Sequence, residues 1–280
     1  MASSIKHHIL LLGGHGKVSM LMTPLLLARG WDVTSVIRDP GQEGDIRAAG
    51  DKPQGAGQGP RGKLTVKVES LDDVKDEAKA TGVLEAVGAD WVVWSAGAGG
   101  KGGSERTYAI DNVAAKCYIS ASTSLPQVTK FLMISAIPSR QKRAPWWDDD
   151  GWAVVTKMKT EILPVYCKAK LEADEHLTAM AEGRRRKGGV FQEIVLRPGG
   201  LSDEPATGKV CLGKTKPKGM VTRGDVAEVA ARLLEAEGAR GWFDLLSGNE
   251  DVKSAVERVV RDGVDSIEGE DVGKIFERIP

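Results

Sequence analysis

Short apolar runs alternate with longer segments of helical length along most of the chain. Ile9–Leu12 is a continuous run of four apolar residues, which is typical of a strand buried on both faces. Val18–Arg29 has helical length and ends at Gly30, a residue favoured just past a helix. Pro24 lies inside this segment. Because an internal proline removes a helix hydrogen bond, we expect a kinked or divided helix there.

The same alternation continues towards the C-terminus. Further strands are predicted at Trp31–Arg38, Lys63–Ser70, Asp90–Gly100, Val128–Ala136, Gly188–Gly200, Val210–Leu212 and Trp242–Leu246. Further helices are predicted at Glu105–Ser124, in a long stretch broken near Pro164, at Arg223–Glu237 and at Val252–Arg261. Strands that alternate with helices predict an α/β fold, in which helices cover both faces of a doubly wound parallel sheet.

A glycine-rich turn follows the first predicted strand and opens the first helix. Its spacing is Gly13-x-x-Gly16-x-x-Ser19, with Ser19 where a third glycine often stands. Glycine lets the backbone approach a pyrophosphate closely, and the helix N-terminus offers free N–H groups to an anion. A turn that is glycine-rich for structural reasons alone remains the alternative. The cofactor-binding residues predicted in this turn are Gly13, Gly14, His15, Gly16, Lys17 and Val18.

Arg38 ends the second predicted strand, about where a dinucleotide-binding fold meets the adenine ribose. A guanidinium there pairs with the 2′-phosphate of NADP, whereas an acidic residue would favour NAD. We therefore predict NADP(H), with NAD(H) as the second choice. The alternative is that Arg38 pairs with Asp39 in a turn. Ala96–Gly100 predicts a second close backbone approach, and its Ala96, Gly97 and Ala98 are assigned to the cofactor site.

The composition narrows the function classes. Lysine plus arginine equals aspartate plus glutamate at 39 each, which argues against wholesale binding to nucleic acid or an anionic membrane. Three dispersed cysteines and four histidines predict reduced thiols and no metal site. We see neither a secretory signal nor an apolar run near the roughly 20 residues of a membrane span. We expect a cytoplasmic protein, monomeric or homodimeric, that acts on a small molecule.

Several segments, taken in order, resemble the short-chain dehydrogenase/reductase superfamily. They read GGxGxxS, VIR, SAGAGG, FLMIS, YCKAK and LRPGGLSDEPATGKV. The resemblance is narrower to the atypical NAD(P)H-binding branch, which includes NmrA-like proteins and the biliverdin/flavin reductase relatives. It extends from about Ile5 to Val229, and its motifs are specific to the branch only when taken together.

The resemblance implies one Rossmann-type NAD(P)-binding domain over residues 1–280. NADP(H) would lie across Gly13–Ser19, Arg38 and Ala96–Gly99, with the turn Arg197–Gly200 near the nicotinamide. The substrate site would be built from the loop after the fifth strand and from residues 198–280, a small C-terminal substrate lobe.

Tyr166 and Lys170 form a YxxxK pair whose side chains share one helix face. A nearby ammonium and the cationic nicotinamide ring stabilise a phenolate and bring the pKa of a tyrosine closer to neutral pH. Tyr166 is therefore the predicted acid–base residue, and Lys170 is also predicted to hold the nicotinamide ribose. Ser135 is predicted to bind the substrate carbonyl, with Ser139 as an alternative because Ala136 interrupts the serine run. A packed tyrosine beside a solvated lysine remains the structural alternative.

Two further features have less specific interpretations. Asp111 and Asn112 lie on the helix after the fourth strand, where the resemblance implies a polar residue that faces the site, although we favour capping or packing roles. The segment Trp146–Trp152 is either a lid over the substrate or a loop anchored by its tryptophans.

We arrive at three functional hypotheses. The first is an NADPH-dependent oxidoreductase that transfers hydride to a small organic carbonyl or flavin-like acceptor, with Tyr166 as proton donor. The second is a non-catalytic NADP(H)-binding redox sensor that contacts another protein. The third is an isomerase or epimerase on the same fold, in which Tyr166 and Lys170 would serve equally well.

Overall fold

A computed structural model describes residues 6–52, 60–98 and 102–280 of the chain. The strands are β1 (His8–Leu12), β2 (Asp32–Ile37), β3 (Leu64–Val68), β4 (Trp91–Trp94), β5 (Lys130–Ile134), β6 (Gln192–Pro198), β7 (Gly200–Ser202), β8 (Lys209–Gly213), β9 (Met220–Thr222), β10 (Gly241–Ser247) and β11 (Glu250–Asp251). The α-helices are α1 (Lys17–Ala28), α2 (Glu43–Gly50), α3 (Glu77–Val87), α4 (Gly103–Tyr108), α5 (Ala115–Ser124), α6 (Asp149–Lys157), α7 (Pro164–Arg186), α8 (Arg223–Glu235), α9 (Val252–Arg261) and α10 (Val272–Phe276).

The central sheet has nine strands in the order β11-β8-β10-β6-β5-β4-β1-β2-β3. The seven strands from β10 to β3 are mutually parallel, whereas β8 and β11 are joined to the edge by antiparallel pairing. The chain changes direction across the sheet between β1 and β4, the position at which open α/β sheets bind ligands. The predicted Rossmann-type doubly wound sheet is confirmed.

Alternate residues of the central strands pack against different helix layers. Ile9 and Leu11 contribute to one buried cluster with residues of α1, α8 and α9. Leu10 and Leu12 contribute to another with residues of α3, α5 and α7. Since both faces of β1 are covered, the strand has an unbroken apolar sequence rather than an alternating one.

The first helix differs from its prediction. α1 is a single helix that runs through Pro24, so the expectation of a divided helix is wrong. Pro24 is itself buried, and Met22 and Leu26 beside it belong to the core cluster with α8. This apolar packing compensates for the one hydrogen bond that the proline removes.

The predicted helix over Glu105–Ser124 is observed as α4 and α5 separated by a π-helical segment, Ala109–Ala114. The predicted break near Pro164 is confirmed. A second π-helical segment ends at Ile162, and Pro164 opens α7, where its missing N–H costs nothing.

Gly13 provides a test of how tightly the first turn is packed. It has φ +84°, and a Cβ added there would lie 2.6 Å from the Cα of Ala96. We predict that Gly13→Ala lowers the free energy of unfolding by about 1–3 kcal/mol in urea denaturation. The matched control is Gly82→Ala in α3, where an added Cβ meets nothing within 4 Å. It should be neutral or stabilising by up to about 1 kcal/mol. Equal effects of the two substitutions would contradict the close approach of the turn to β4.

Candidate functional site

A cleft of about 210 Å³ opens at the carboxyl ends of β1, β2 and β4. Most of the predicted cofactor residues line this one cleft, although they come from three separate strand ends. They are Gly13, His15, Gly16, Arg38, Ala96, Gly97 and Ala98. Gly14 lies in the same turn, and Lys17 and Val18 begin α1, but these three predicted residues do not line the cleft. Gly99 and Gly100 lie outside the residues that the structure describes.

The glycine turn is held in place by backbone hydrogen bonds. The amide of Gly14 donates to the carbonyl of Val36 at 2.8 Å, and the amide of Gly16 donates to that of Gly13 at 2.9 Å. A Cβ on Gly14 would lie 2.0 Å from the Ser35 hydroxyl oxygen. The close packing of Gly14 against β2 therefore requires glycine at this position, whether or not a ligand binds. Gly16 caps α1 without a side-chain hydrogen bond, which leaves the first helix N–H groups available to an anion.

Arg38 is exposed at the rim of the cleft. Within the described part of the chain it forms neither a hydrogen bond nor an ion pair, so the alternative of an Arg38–Asp39 pair is not observed. The Asp39 carboxylate instead accepts a hydrogen bond from the Gly41 amide at 2.9 Å. The guanidinium is thus positioned to receive an anion at the end of β2.

Sequence reasoning missed a second arginine in the same cleft. Arg106 donates two hydrogen bonds to the Asp72 carboxylate, at 2.9 and 3.0 Å. These bonds lower the pKa of Asp72, and the charge of Arg38 lowers it further. The sequence gives little indication of this ion pair. Arg106 lies shortly before the polar residues Asp111 and Asn112 of the segment after β4, but nothing in the sequence relates it to Asp72.

Two predicted turn residues have protein partners. The Lys17 ammonium pairs with Asp203, which also pairs with Arg223 at 2.7 Å. The imidazole of His15 lies 2.9 Å from the Asp45 carboxylate. All of these contacts are solvent-exposed, and exposed ion pairs contribute at most about 1 kcal/mol. A phosphate ligand would compete with them easily.

Tyr166 and Lys170 lie one turn apart at the start of α7, as the YxxxK spacing predicts. The Lys170 ammonium is 5.9 Å from the centre of the Tyr166 ring. It is not solvated, because the residue is 3% exposed. Its nitrogen lies 3.0 Å from a carboxylate oxygen of Asp111, 3.1 Å from the carbonyl of Ile134 and 3.4 Å from that of Ala96. The ends of β4 and β5 therefore meet at this lysine.

The sequence predicts that Lys170, together with the nicotinamide ring, brings the pKa of Tyr166 towards neutral pH, and in the protein alone the charge of Lys170 acts in that direction. Burial raises the pKa of Tyr166, and this effect outweighs the opposing charge of Lys170. The nearby carboxylates of Asp111 and Asp174 raise it further. Tyr166 therefore keeps its phenolic proton at neutral pH. A group in this state can donate a proton but cannot accept one.

Asp111 faces the site, the possibility that the sequence analysis did not favour, and it forms an ion pair with Lys170 that was not predicted. The residue is 1% exposed and lies in the π-helical segment between α4 and α5. One carboxylate oxygen faces Lys170, and the other accepts a hydrogen bond from the Ala98 amide at 3.0 Å. A capping or packing role alone does not account for a buried carboxylate with a charged partner.

Ser135 is also buried, and its hydroxyl donates to the carboxylate of Asp174 at 2.6 Å. In this arrangement its hydrogen is not available to a substrate carbonyl. Ser139, the alternative, is fully buried, and its hydroxyl makes no hydrogen bond within the described part of the chain. The structure thus places Ser135 beside α7 without testing its predicted role.

Arg197 joins Asp174 to a second buried carboxylate. Its guanidinium lies 3.6 Å from the Asp174 carboxylate and 3.0 Å from that of Asp244, and all three side chains are fully buried. It also donates to the carbonyl of Ile137 at 2.9 Å. Arg197 thus stabilises the loop after β5 from the protein interior through its bond to Ile137 and does not line an open cleft.

The tryptophan-rich loop after β5 is anchored rather than free. The indole N–H groups of Trp146 and Trp147 both donate to the carbonyl of Thr215, at 2.8 and 2.7 Å. The guanidinium of Arg140 lies over both rings, 5.6 and 5.4 Å from their centres. These contacts favour the interpretation of an anchored loop over that of a lid. They connect the loop to the segment between β8 and β9.

Two absences concern residues 6–52, 60–98 and 102–280, the described part of the chain. No helix there is long and apolar enough to cross a membrane. No three His, Cys, Asp or Glu side chains in these ranges are grouped to hold a metal ion.

A family model described as NAD(P)H-binding matches residues 13–237. A UPF0659 protein of Schizosaccharomyces pombe is 31% identical over 91% of this chain and 95% of its own length. A Bacillus subtilis protein named as the uncharacterized sugar epimerase YhfK is 25% identical over 90% of this chain and 99% of its own.

Among solved structures, the anaerobillin reductase ChuY of Escherichia coli superimposes with a TM-score of 0.62 at 19% identity. The superposition covers 87% of this chain and 98% of that one. At this level of identity it shows that the fold is shared.

The buried carboxyls of Asp174 and Asp244 generate a prediction for stability against pH. Burial raises the pKa of Asp174 to about 7 and that of Asp244 to about 6. The folded state then binds protons more tightly than the unfolded chain, in which the pKa of an aspartate is about 3.9. Between about pH 4 and 7 these groups therefore make stability fall as the pH rises.

We expect Asp174→Asn to remove part of this decrease in the free energy of unfolding with rising pH. The stability difference between wild type and variant, measured by urea unfolding at pH 5 and pH 7.5, should favour wild type more at pH 5. Asp73→Asn, at an exposed carboxyl, is the control and should retain the wild-type dependence. A wild type that gains stability over Asp174→Asn as the pH rises would contradict the raised pKa.

Proposed function

This chain belongs to the NAD(P)H-binding family, and we propose that it is an NADPH-dependent reductase of small organic carbonyl or flavin-like acceptors. One observation carries the proposal. The cofactor-type cleft and the Tyr166–Lys170 pair are joined at Ala96, which lines the cleft and whose carbonyl faces the Lys170 ammonium. This contact supports the assignment of Tyr166 as the proton donor for a reaction at that cleft.

The cleft suits NADPH in two respects. The glycine turn leaves a cradle that a side chain would fill, since a Cβ on Gly16 would lie 3.1 Å from the carbonyl of Gly13. The pyrophosphate would lie there, against the N-terminus of α1. The exposed guanidinium of Arg38 would meet the 2′-phosphate. Bound NADPH would supply the hydride.

The protonated state of Tyr166 favours reduction. On reduction of a carbonyl to an alcohol, the carbonyl oxygen would take the phenolic proton of Tyr166, and water would then reprotonate the phenolate. Lys170 would hold the nicotinamide ribose. Ser135 can turn its hydrogen towards the substrate once Asp174 is protonated, because the carboxyl then donates to the serine oxygen.

We further propose that the whole chain acts as one domain, with residues 198–280 forming the substrate side. The bonds from Trp146 and Trp147 to Thr215 support this, because they tie the loop after β5 to that part of the chain. A substrate held between the two would lie over Tyr166. The protein would work in the cytoplasm as a monomer or homodimer.

A sugar epimerase is the second candidate. It is favoured by the 25% identical relative named as a sugar epimerase, which matches over almost its whole length. An epimerase would return the hydride to the substrate and consume no NADPH overall. Net oxidation of NADPH therefore distinguishes the two functions.

We predict that Tyr166→Phe lowers turnover about 10²–10⁴-fold, because proton donation is lost, while NADPH affinity stays within about twofold. The assay follows NADPH oxidation against a panel of carbonyl and quinone acceptors. Tyr108→Phe is the matched control, since Tyr108 is a partly exposed tyrosine bonded to Glu172.

Three outcomes would contradict the reductase proposal in different ways. Full activity of Tyr166→Phe would remove Tyr166 from the mechanism. Sugar epimerisation without NADPH consumption would support the second candidate. Tight NADPH binding with no turnover on any acceptor would support a redox sensor.

Arg38→Gln tests the choice of cofactor. Loss of a charge-assisted bond to the 2′-phosphate should weaken NADPH binding about 10- to 100-fold and leave NADH binding nearly unchanged. Both dissociation constants can be read from nicotinamide fluorescence. The control is Arg47→Gln, an exposed arginine of α2 that pairs with Glu43. Equal weakening of both cofactors would contradict recognition of the 2′-phosphate by Arg38.

A further inference from the structure

We propose that Asp111 is a positioning residue for the proposed reductase: its carboxylate neutralises Lys170 and holds it under the cofactor loop, so that Tyr166 keeps the proton it donates. This inference rests on the proposed function for its catalytic meaning. Its physical content concerns three side chains, Tyr166, Lys170 and Asp111, and is present without cofactor or substrate.

The backbone places Asp111 for this contact. The residue lies within the π-helical segment Ala109–Ala114, in an otherwise α-helical stretch from α4 to α5. A π-segment inserts an extra residue into the turn and changes the direction of the side chains it carries, and such segments are frequent at functional sites. Here the buried carboxylate lies 3.0 Å from the ammonium nitrogen of Lys170.

The cofactor loop is shaped around the same carboxylate. The amide of Ala98 donates to one oxygen of Asp111 at 3.0 Å. A Cβ on Gly97 would lie 3.1 Å from the other oxygen, so glycine leaves the room that the carboxylate occupies. Asp111 thus touches both Lys170 and the loop that lines the cleft.

Lys170 donates hydrogen bonds to two carbonyls and forms an ion pair with the Asp111 carboxylate. An ammonium group has three N–H donors, and three oxygens surround this one, from Asp111, Ile134 and Ala96. The two opposite charges cancel, and the phenol faces a nearly neutral pair rather than a bare cation.

The other groups that act on the phenol do not supply a compensating cation. The charged and titratable groups that affect Tyr166 are Lys170, Cys167 and Asp174 on its own helix and Asp111 from the π-segment. Lys170 favours the phenolate, whereas the three acidic groups disfavour it. Those acting on Lys170 are Asp111, Tyr166 and Asp174. Removing the charge of Asp111 would therefore expose Tyr166 to an unbalanced ammonium.

The test is a phenol titration of the apoprotein carrying Asp111→Asn, which keeps the side-chain size. Tyrosinate is followed by absorbance at 295 nm, and the signal of Tyr166 is isolated by subtracting the same titration with Tyr166→Phe added. We expect Tyr166 to ionise at least about one pH unit lower than in the wild-type protein. The alkaline limb of NADPH-dependent turnover should move in the same direction.

Glu172→Gln is the matched control. Glu172 is a carboxylate of the same helix, but it accepts hydrogen bonds from Tyr108 and Asn112 instead of Lys170. The Glu172→Gln substitution should shift the titration of Tyr108 and leave that of Tyr166 unchanged. An unshifted Tyr166 in folded Asp111→Asn would overturn the proposal. A shifted Tyr166 in a protein with no reductase activity would overturn the proposed function alone.

A second pair of variants applies if Asp111→Asn does not fold. Lys170→Met leaves the Asp111 charge facing Tyr166, and Lys170→Met with Asp111→Asn removes both charges. We expect Tyr166 to ionise at lower pH in the double variant than in Lys170→Met. Equal titration of Tyr166 in the two would show that Asp111 has only a structural role.

Discussion

The ion pair between Lys170 and Asp111 is the contact on which the rest of the site depends. Both side chains are almost completely buried, and a buried charge is tolerated only when it is paired and hydrogen-bonded. Loss of one partner from such a pair typically costs about 3–5 kcal/mol. The pair therefore fixes the relative positions of the ends of β4 and β5, the start of α7 and the segment between α4 and α5.

A second set of buried charges follows one helical turn later on the same face of α7. Asp174 receives the hydroxyl of Ser135 and the guanidinium of Arg197, and Arg197 also pairs with Asp244. Together the two sets connect β5, β6 and β10 to the helix that carries Tyr166. The carboxyl edge of the sheet thus contains buried ion pairs, whereas the ion pairs near the rim of the cleft are exposed to solvent.

The fold and the cofactor cleft were predictable because their signals are local. A few consecutive residues are enough to identify each of three features: the apolar run of β1, the bounds of α9 and the glycine turn. Even α3, which was not predicted, has local signals in its N-cap Asp76 and in Gly88, which has φ +66°. Arg38 could be placed because the position at the end of the second strand is defined by the fold.

The electrostatics of the site could not be predicted in the same way. The partner of Lys170 lies on a different helix, and only a π-segment turns Asp111 towards it. The hydrogen bond from Ser135 to Asp174 likewise joins a strand to a helix distant in sequence. The direction in which the pKa of Tyr166 shifts depends on the balance between burial and neighbouring charges, and only the folded structure sets that balance.

The most direct test of the account is a titration of the purified wild-type protein with NADPH and with NADH, followed by nicotinamide fluorescence. We predict that each chain binds one NADPH tightly and that NADH binds much more weakly. Binding of neither cofactor would contradict it, because the glycine turn would then be a structural turn and the proton donor would have no hydride beside it.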